Sequence, residues 1–213
     1  TETTSLNELE AELIGMSFCY KKGLAYYVPM SNNQEEAQKT VELFRSFFED
    51  QNVLKIAHNL KYDYKVLKNY SIEVEGKLFD TMVAHYLLNP DGRHGMDYLS
   101  EMYLDYKPVS IESLIGKKGK NQRTLRDVDV QTQTDYAAED ADVTFQLYEL
   151  FAPQLAKENL EDLFYNVEMP LMKVLAKIEL TGVKLDNNWL AQESKDLEND
   201  LKILESKIFE LSG

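Results

Sequence analysis

Tyr136 and Asp140 lie four residues apart, which on a helix puts a phenol and a carboxylate on one face. Carboxylates are the hard oxygen ligands that Mg²⁺ or Mn²⁺ prefers, and a phenol beside a metal-bound carboxylate can orient a water and help deprotonate it. Between them, Ala137 and Ala138 are small enough to allow close packing. A second carboxylate, Asp63, closes the run His58-Asn59-Leu60-Lys61-Tyr62-Asp63, where a strand pattern hands over to a helix. That edge of an α/β sheet is where ligands bind. Glu2 supplies a third acid. Taken singly, each fits an ordinary role: Asp63 as a first-turn helix acid, Asp140 as a solvated helix residue, Tyr136 as a half-buried aromatic.

Charge is unevenly spread around these residues. Residues 115–126 carry Lys117, Lys118, Lys120, Arg123 and Arg126 with no acid, and Gly116 and Gly119 mark the segment as a loop. Residues 127–142 carry six acids and no base. A cationic loop beside a concentration of carboxylates suits a metal-dependent phosphodiester enzyme, which must hold both a polyanion and metal cations. Two oppositely charged solvated surfaces would look the same. Over the whole chain 23 basic residues face 37 acidic ones, a net charge of −14, which argues against a binder that coats nucleic acid over its entire surface.

The elements that must position these groups are legible in the periodicity. Residues 12–20 and 24–30 form two apolar, aromatic-rich runs joined by Lys21-Lys22-Gly23, a β-hairpin pattern. Residues 33–50 place Ala37, Val41, Phe44, Phe47 and Phe48 at helical spacing. A short buried strand of the parallel-sheet type follows over 53–57, then helices over 60–70, 80–88 and 96–104. A long helix spans 133–159, with Pro153 as a point where it can bend. Beyond residue 160 only helical patterns remain: 168–180, ending at Thr181-Gly182, and 188–211, with leucines and Ile208 in steps of seven, four, three, four and three. The reading is an α/β domain to about 165 followed by an all-helical extension over 166–213.

At 213 residues and 44% apolar content the chain can bury a substantial core, and it contains no run of eighteen apolar residues. No membrane association is expected. Cys19 is the single cysteine, suited to a reducing cytoplasm and expected in the core of the hairpin strand. His58, His85 and His94 do not have metal-ligand spacing.

Together, three segments resemble a family. Thr1-Glu2-Thr3-Thr4-Ser5-Leu6, Asn59-Leu60-Lys61-Tyr62-Asp63 and Tyr136-Ala137-Ala138-Glu139-Asp140-Ala141-Asp142 are similar, in order and separation, to the three motifs of proofreading 3′–5′ exonucleases with a tyrosine in the third motif. Phe79-Asp80-Thr81-Met82, residues 92–97, residues 119–122 and Glu168-Met169-Pro170-Leu171 extend the likeness to the exonuclease region of the bacterial DNA polymerase I family, over essentially the whole chain. The resemblance implies a ribonuclease H-like fold, a central mixed β-sheet flanked by helices. In that fold four carboxylates hold two Mg²⁺ or Mn²⁺ ions roughly 4 Å apart around a scissile phosphate, releasing nucleoside monophosphates. It implies Glu2, Asp63 and Asp140 as metal ligands and Tyr136 as the residue that positions the attacking water. Leu6 would wedge against the last bases of a single-stranded 3′ end of DNA. Asn59, Tyr62, Arg93 and Met96 would line the strand's path, and Lys117, Lys118, Lys120 and Arg123 would meet its phosphates.

The resemblance also exposes a departure. The family's first motif is Asp-Thr-Glu, and this sequence begins at its Thr, so the leading aspartate and the central strand that carries it are expected to lie in a longer polypeptide. The chain is then expected to cleave weakly, to hold at most one loosely bound metal, and to fill the gap in its sheet by association. Residues 167–213 resemble the opening helices of a polymerase region, the expected partner within the same polypeptide, and contain none of its catalytic motifs. Two other readings remain: a ribonuclease D-like RNA exonuclease, which shares the three motifs, and a structural module that has lost nuclease activity.

Overall fold

In the computed structural model, residues 1–117, 119 and 122–213 are described. They form two compact units, Thr1–Leu180 and Thr181–Gly213.

The first unit begins with β1 (Glu2–Thr3), β2 (Leu13–Lys21) and β3 (Leu24–Pro29), an antiparallel sheet in the order β1-β2-β3. The hairpin stands where the alternating aromatics put it, and Gly23 at its turn takes φ +76°, a region that costs glycine little. Glu2 pairs with Gly15 and Thr3 with Leu13. At Gly15 the Tyr27 ring of β3 lies so close that a Cβ would stand 2.2 Å from it, so only glycine fits opposite Glu2.

Two helices follow, α1 (Gln34–Glu42) and α2 (Arg45–Glu49), where the apolar spacing predicts one. The chain turns at Leu43–Phe44, where Phe44 stacks on Phe18 of β2 with centroids 5.1 Å apart, while Phe47 meets the same ring edge-on at 5.6 Å. Next comes a β-α-β unit: β4 (Lys55–Ala57), α3 (Leu60–Asn69) and β5 (Leu78–Asp80), whose strands pair in parallel. The described strands thus form two sheets, an antiparallel triplet and a parallel pair, in place of the one central mixed sheet that the resemblance implies, because no described strand pairs β2 or β3 with β4 or β5. A cavity of about 770 Å³ is lined on one side by residues 16–20 of β2 and on the other by residues 53–60.

Helices α4 (Thr81–Leu88), α5 (Met96–Leu104), the single-turn α6 (Ile111–Ile115) and α7 (Val130–Lys157) complete the layer over the sheet. Val143, Leu147, Phe151 and Leu155 of α7 recur every four residues and are buried, a continuous stripe against the core. Pro153 sits within this helix, which continues to Lys157. After the short α8 (Glu161–Leu163) and a π-helical turn at Phe164–Glu168 comes α9 (Met169–Thr181). Phe164 contacts Phe79 of β5 at 4.8 Å, and Met169, Met172 and Ala176 join the core, so residues 166–180 pack with the first unit. Cys19 is half-exposed, not part of the core; its thiol meets the Lys21 carbonyl at 3.3 Å and the Asp142 carboxylate at 3.6 Å.

The second unit is dominated by α10 (Asn187–Ser212), capped by the Asp186 carboxylate, which accepts from the backbone N–H groups of Asn188 and Trp189. Its leucines are exposed. Among the described residues, no helix is long and apolar enough to cross a membrane.

Candidate active site

Three segments distant in sequence bring the acids together. Glu2 is carried by β1, Asp63 by the first turn of α3, and Tyr136 and Asp140 by α7. Thr1, Glu2, Asp63, Asp140 and Met96 line the same cavity. The electrostatics report their proximity. Burial, and then the Glu2 charge, raise the Asp140 pKa to about 8. Glu2 is raised by burial and by Asp63, against the pull of the Thr1 ammonium. Tyr136 is pushed well above the usual phenol range by burial and by the neighbouring Asp140 and Glu2 charges.

The backbone nitrogen of Thr1 lies 3.2 Å from Asp63 Oδ1, and the Thr1 hydroxyl donates to the same oxygen. Burial opposes the ammonium charge, but Asp63, Glu2 and Asp140 outweigh it and raise its pKa. Among the described residues, no group of three or more His, Cys, Asp or Glu side chains is already disposed around one metal position. The donor set still suits a hard divalent cation: Glu2, Asp63 and Asp140 line one cavity, and mutual repulsion adds to burial in holding protons on Glu2 and Asp140.

The remaining residues implied by the resemblance fall into two groups. Tyr62 is half-buried, and its hydroxyl joins the Thr3 hydroxyl and the Ser5 carbonyl, tying α3 to the loop that carries Leu6, which is 87% exposed. Asn59 precedes α3 with φ +67°. Met96, at the start of α5, accepts from the Thr144 hydroxyl at 3.4 Å, and Arg93 is exposed three residues earlier. Neither Lys117 nor Arg123 of the basic loop lines the cavity. Lys117 is exposed, while the Arg123 guanidinium donates to the Leu114 carbonyl of α6 at 2.9 Å. Lys118 and Lys120 lie outside the described residues.

Sequence reasoning passed over three supporting residues. Asp97, on the first turn of α5, adds its charge to those acting on Asp140 and Tyr136; an acid four residues after Arg93 carried no periodic signal. Asp80, 2% exposed, accepts from the backbone N–H groups of Asn59, Leu60 and Met82 at 3.2, 2.8 and 2.8 Å, so one carboxylate starts both α3 and α4. Lys65, also 2% exposed, is held between Glu8 and Glu179 and fastens α9 to the loop after β1. A lysine in an otherwise amphipathic helix gave no hint of burial.

Comparison with known proteins places this geometry in a family. Residues 1–156 match the 3′–5′ exonuclease family. DNA polymerase I of Rhizobium leguminosarum is 37% identical over the entire chain, which covers 23% of that protein. The structure of NrnC from Brucella melitensis with bound Mg²⁺ superposes with a TM-score of 0.67 at 21% identity, over 85% of this chain and 83% of that one. The POL domain of Pol1 from M. smegmatis, in complex with a DNA primer-template and dNTP, gives 0.67 at 20% identity, over 84% of this chain and 28% of that one. These likenesses carry the ribonuclease H-like fold. The chain spans about a quarter of the length of the curated relatives it matches. It belongs to the 3′–5′ exonuclease family, in the form carried by DNA polymerase I.

Proposed function

We propose that the chain is the proofreading module of a DNA polymerase in the cytoplasm, removing nucleotides from the single-stranded 3′ end of DNA as monophosphates. The observation that carries this reading is that Glu2, Asp63 and Asp140 line one cavity, with the Tyr136 phenol beside Asp140. These three carboxylates would hold Mg²⁺ or Mn²⁺, two ions in the intact domain. The metal, when bound, would supply charge neutralisation at the phosphate and a more acidic water. Tyr136 keeps its proton at neutral pH because burial and Asp140 disfavour the phenolate, so its hydroxyl orients a water as a hydrogen-bond partner. Leu6 and Tyr62 border the terminal bases, Asn59, Arg93 and Met96 the strand behind them. Lys117, Lys118, Lys120 and Arg123 attract phosphates. The polymerase region of the same polypeptide delivers the 3′ end, and the exposed leucines of α10 face it.

Incubating 5′-labelled single-stranded DNA with the chain and Mg²⁺ tests the reading. Stepwise shortening from the 3′ end, faster on DNA than on RNA, is expected. Faster shortening of RNA would favour a ribonuclease D-like enzyme, and internal cuts or trimming from the 5′ end would overturn the assignment.

A further inference from the structure

His85 has no exposed surface, yet both of its ring nitrogens are engaged. Nδ1 lies 2.7 Å from Nδ1 of His94, and Nε2 lies 3.0 Å from the hydroxyl of Tyr103 on α5. Two imidazole nitrogens at that distance share one proton, one ring donating and the other accepting, so at least one ring must be neutral. Burial in the apolar surroundings of Phe151 and Tyr103 favours the neutral form of His85, and the neighbouring His94 works in the same direction.

His94 belongs to the turn between α4 and α5. The turn closes by a hydrogen bond from the Gly92 N–H to the Asn89 carbonyl, 3.1 Å. Gly92 is packed so closely that a Cβ there would stand 3.2 Å from the His85 ring. The turn therefore meets His85 through one side-chain hydrogen bond, and glycine at position 92 leaves room for the His85 ring. Its next element, α5, begins with Met96 and Asp97 at the carboxylate site. Arg93 projects from the same turn into solvent.

We infer that His85 is a positioning residue for the DNA strand: by holding His94 it sets the turn that presents Arg93 beside the site. The inference rests on the strand path proposed above. A free turn would let Arg93 sample many positions, and a phosphate contact would then have to order the backbone as well as the side chain. Held on the buried His85 ring, the turn is ordered before the strand arrives.

Fluorescence-anisotropy titration of the chain with a single-stranded oligodeoxynucleotide tests this on four variants, each first checked by thermal melting. His94→Ala and His85→Phe are each expected to weaken binding by about 5-fold, the worth of one hydrogen bond, with His85→Asn, whose amide can replace Nδ1, within about 2-fold of the parent. Arg93→Ala is expected to weaken binding too, and adding His94→Ala to it should cost nothing further, because both act through one contact. The ¹⁵N resonances of the His94 ring should shift in His85→Phe. If they do not, the pair does not exist. Undiminished affinity in folded His94→Ala alongside weakened Arg93→Ala would overturn the positioning role alone. Undiminished affinity in Arg93→Ala would overturn the strand path on which the inference rests.

Discussion

The carboxylate of Asp80 accepts the backbone N–H of Leu60 at 2.8 Å, so a residue at the end of β5 starts the helix that carries Asp63. The same carboxylate caps α4 through Met82 and Val83. Burial raises its pKa while four backbone N–H groups pull the other way.

Asp80→Ala removes the cap from two helix starts, each worth about 1–2 kcal/mol, for a total of roughly 2–4 kcal/mol. Urea denaturation should show that loss. Asp80→Asn keeps one acceptor oxygen and is expected to lose less. A change below about 0.5 kcal/mol for Asp80→Ala would be ordinary for a surface position and would show that the cap contributes nothing.

Asp140 gives the metal-free chain a pH dependence of definite sign. In the folded state its pKa is about 8, and in the unfolded chain it returns to about 3.9. Between those values the folded state binds more protons, so stability falls as pH rises from about 4 to 8 and stays low above that. Asp140→Asn is expected to flatten this part of the profile in denaturation midpoints measured from about pH 4 to 9. A slope as steep in the variant as in the parent would assign the dependence to other groups.

Tyr136→Phe retains the ring and deletes the hydroxyl beside Asp140. Turnover is expected to fall by about 10²–10⁴-fold, the usual range for a proton-transfer or water-positioning group, with oligonucleotide affinity nearly unchanged. Normal turnover would reduce Tyr136 to packing.

Replacing Lys117 and Arg123 by Gln tests the basic loop. If both meet phosphates of a single strand, the slope of log affinity against log salt flattens by about 0.7 for each phosphate that is no longer neutralised. The Arg123 guanidinium must leave the Leu114 carbonyl to do so. An unchanged slope would mean that the loop faces away from the strand.

Long periodic segments were readable from the sequence because their signal is local. The hairpin, the parallel-type strand at 53–57, and helices α3, α4, α5, α7, α9 and α10 all follow from spacing alone. Short elements such as β1, α6 and α8 escaped, and two further features show why. β5 has three residues, too few to show a period, and exists because Leu78, Phe79 and Asp80 can pair with β4. The break between α1 and α2 falls inside a run whose apolar spacing is continuous, at a residue that stacks on Phe18, 26 positions earlier, a contact no local pattern encodes. The site divides similarly. As candidates, Asp63, Tyr136 and Asp140 stand out through their likeness to the family's motifs, each fitting an ordinary role when taken alone, whereas Asp80, Lys65 and the His85–His94 pair acquire their roles only when distant elements meet.

The central claim is that Glu2, Asp63 and Asp140 together form a site for a divalent cation. Titrating Mn²⁺ into the chain and following free ion by electron paramagnetic resonance tests it directly, without requiring turnover. The account predicts weak, saturable binding, displaced by Mg²⁺, strengthening as pH rises toward the Asp140 pKa of about 8 and abolished by either Asp63→Asn or Asp140→Asn. Binding that is absent from the parent chain, or that survives both substitutions, would contradict it.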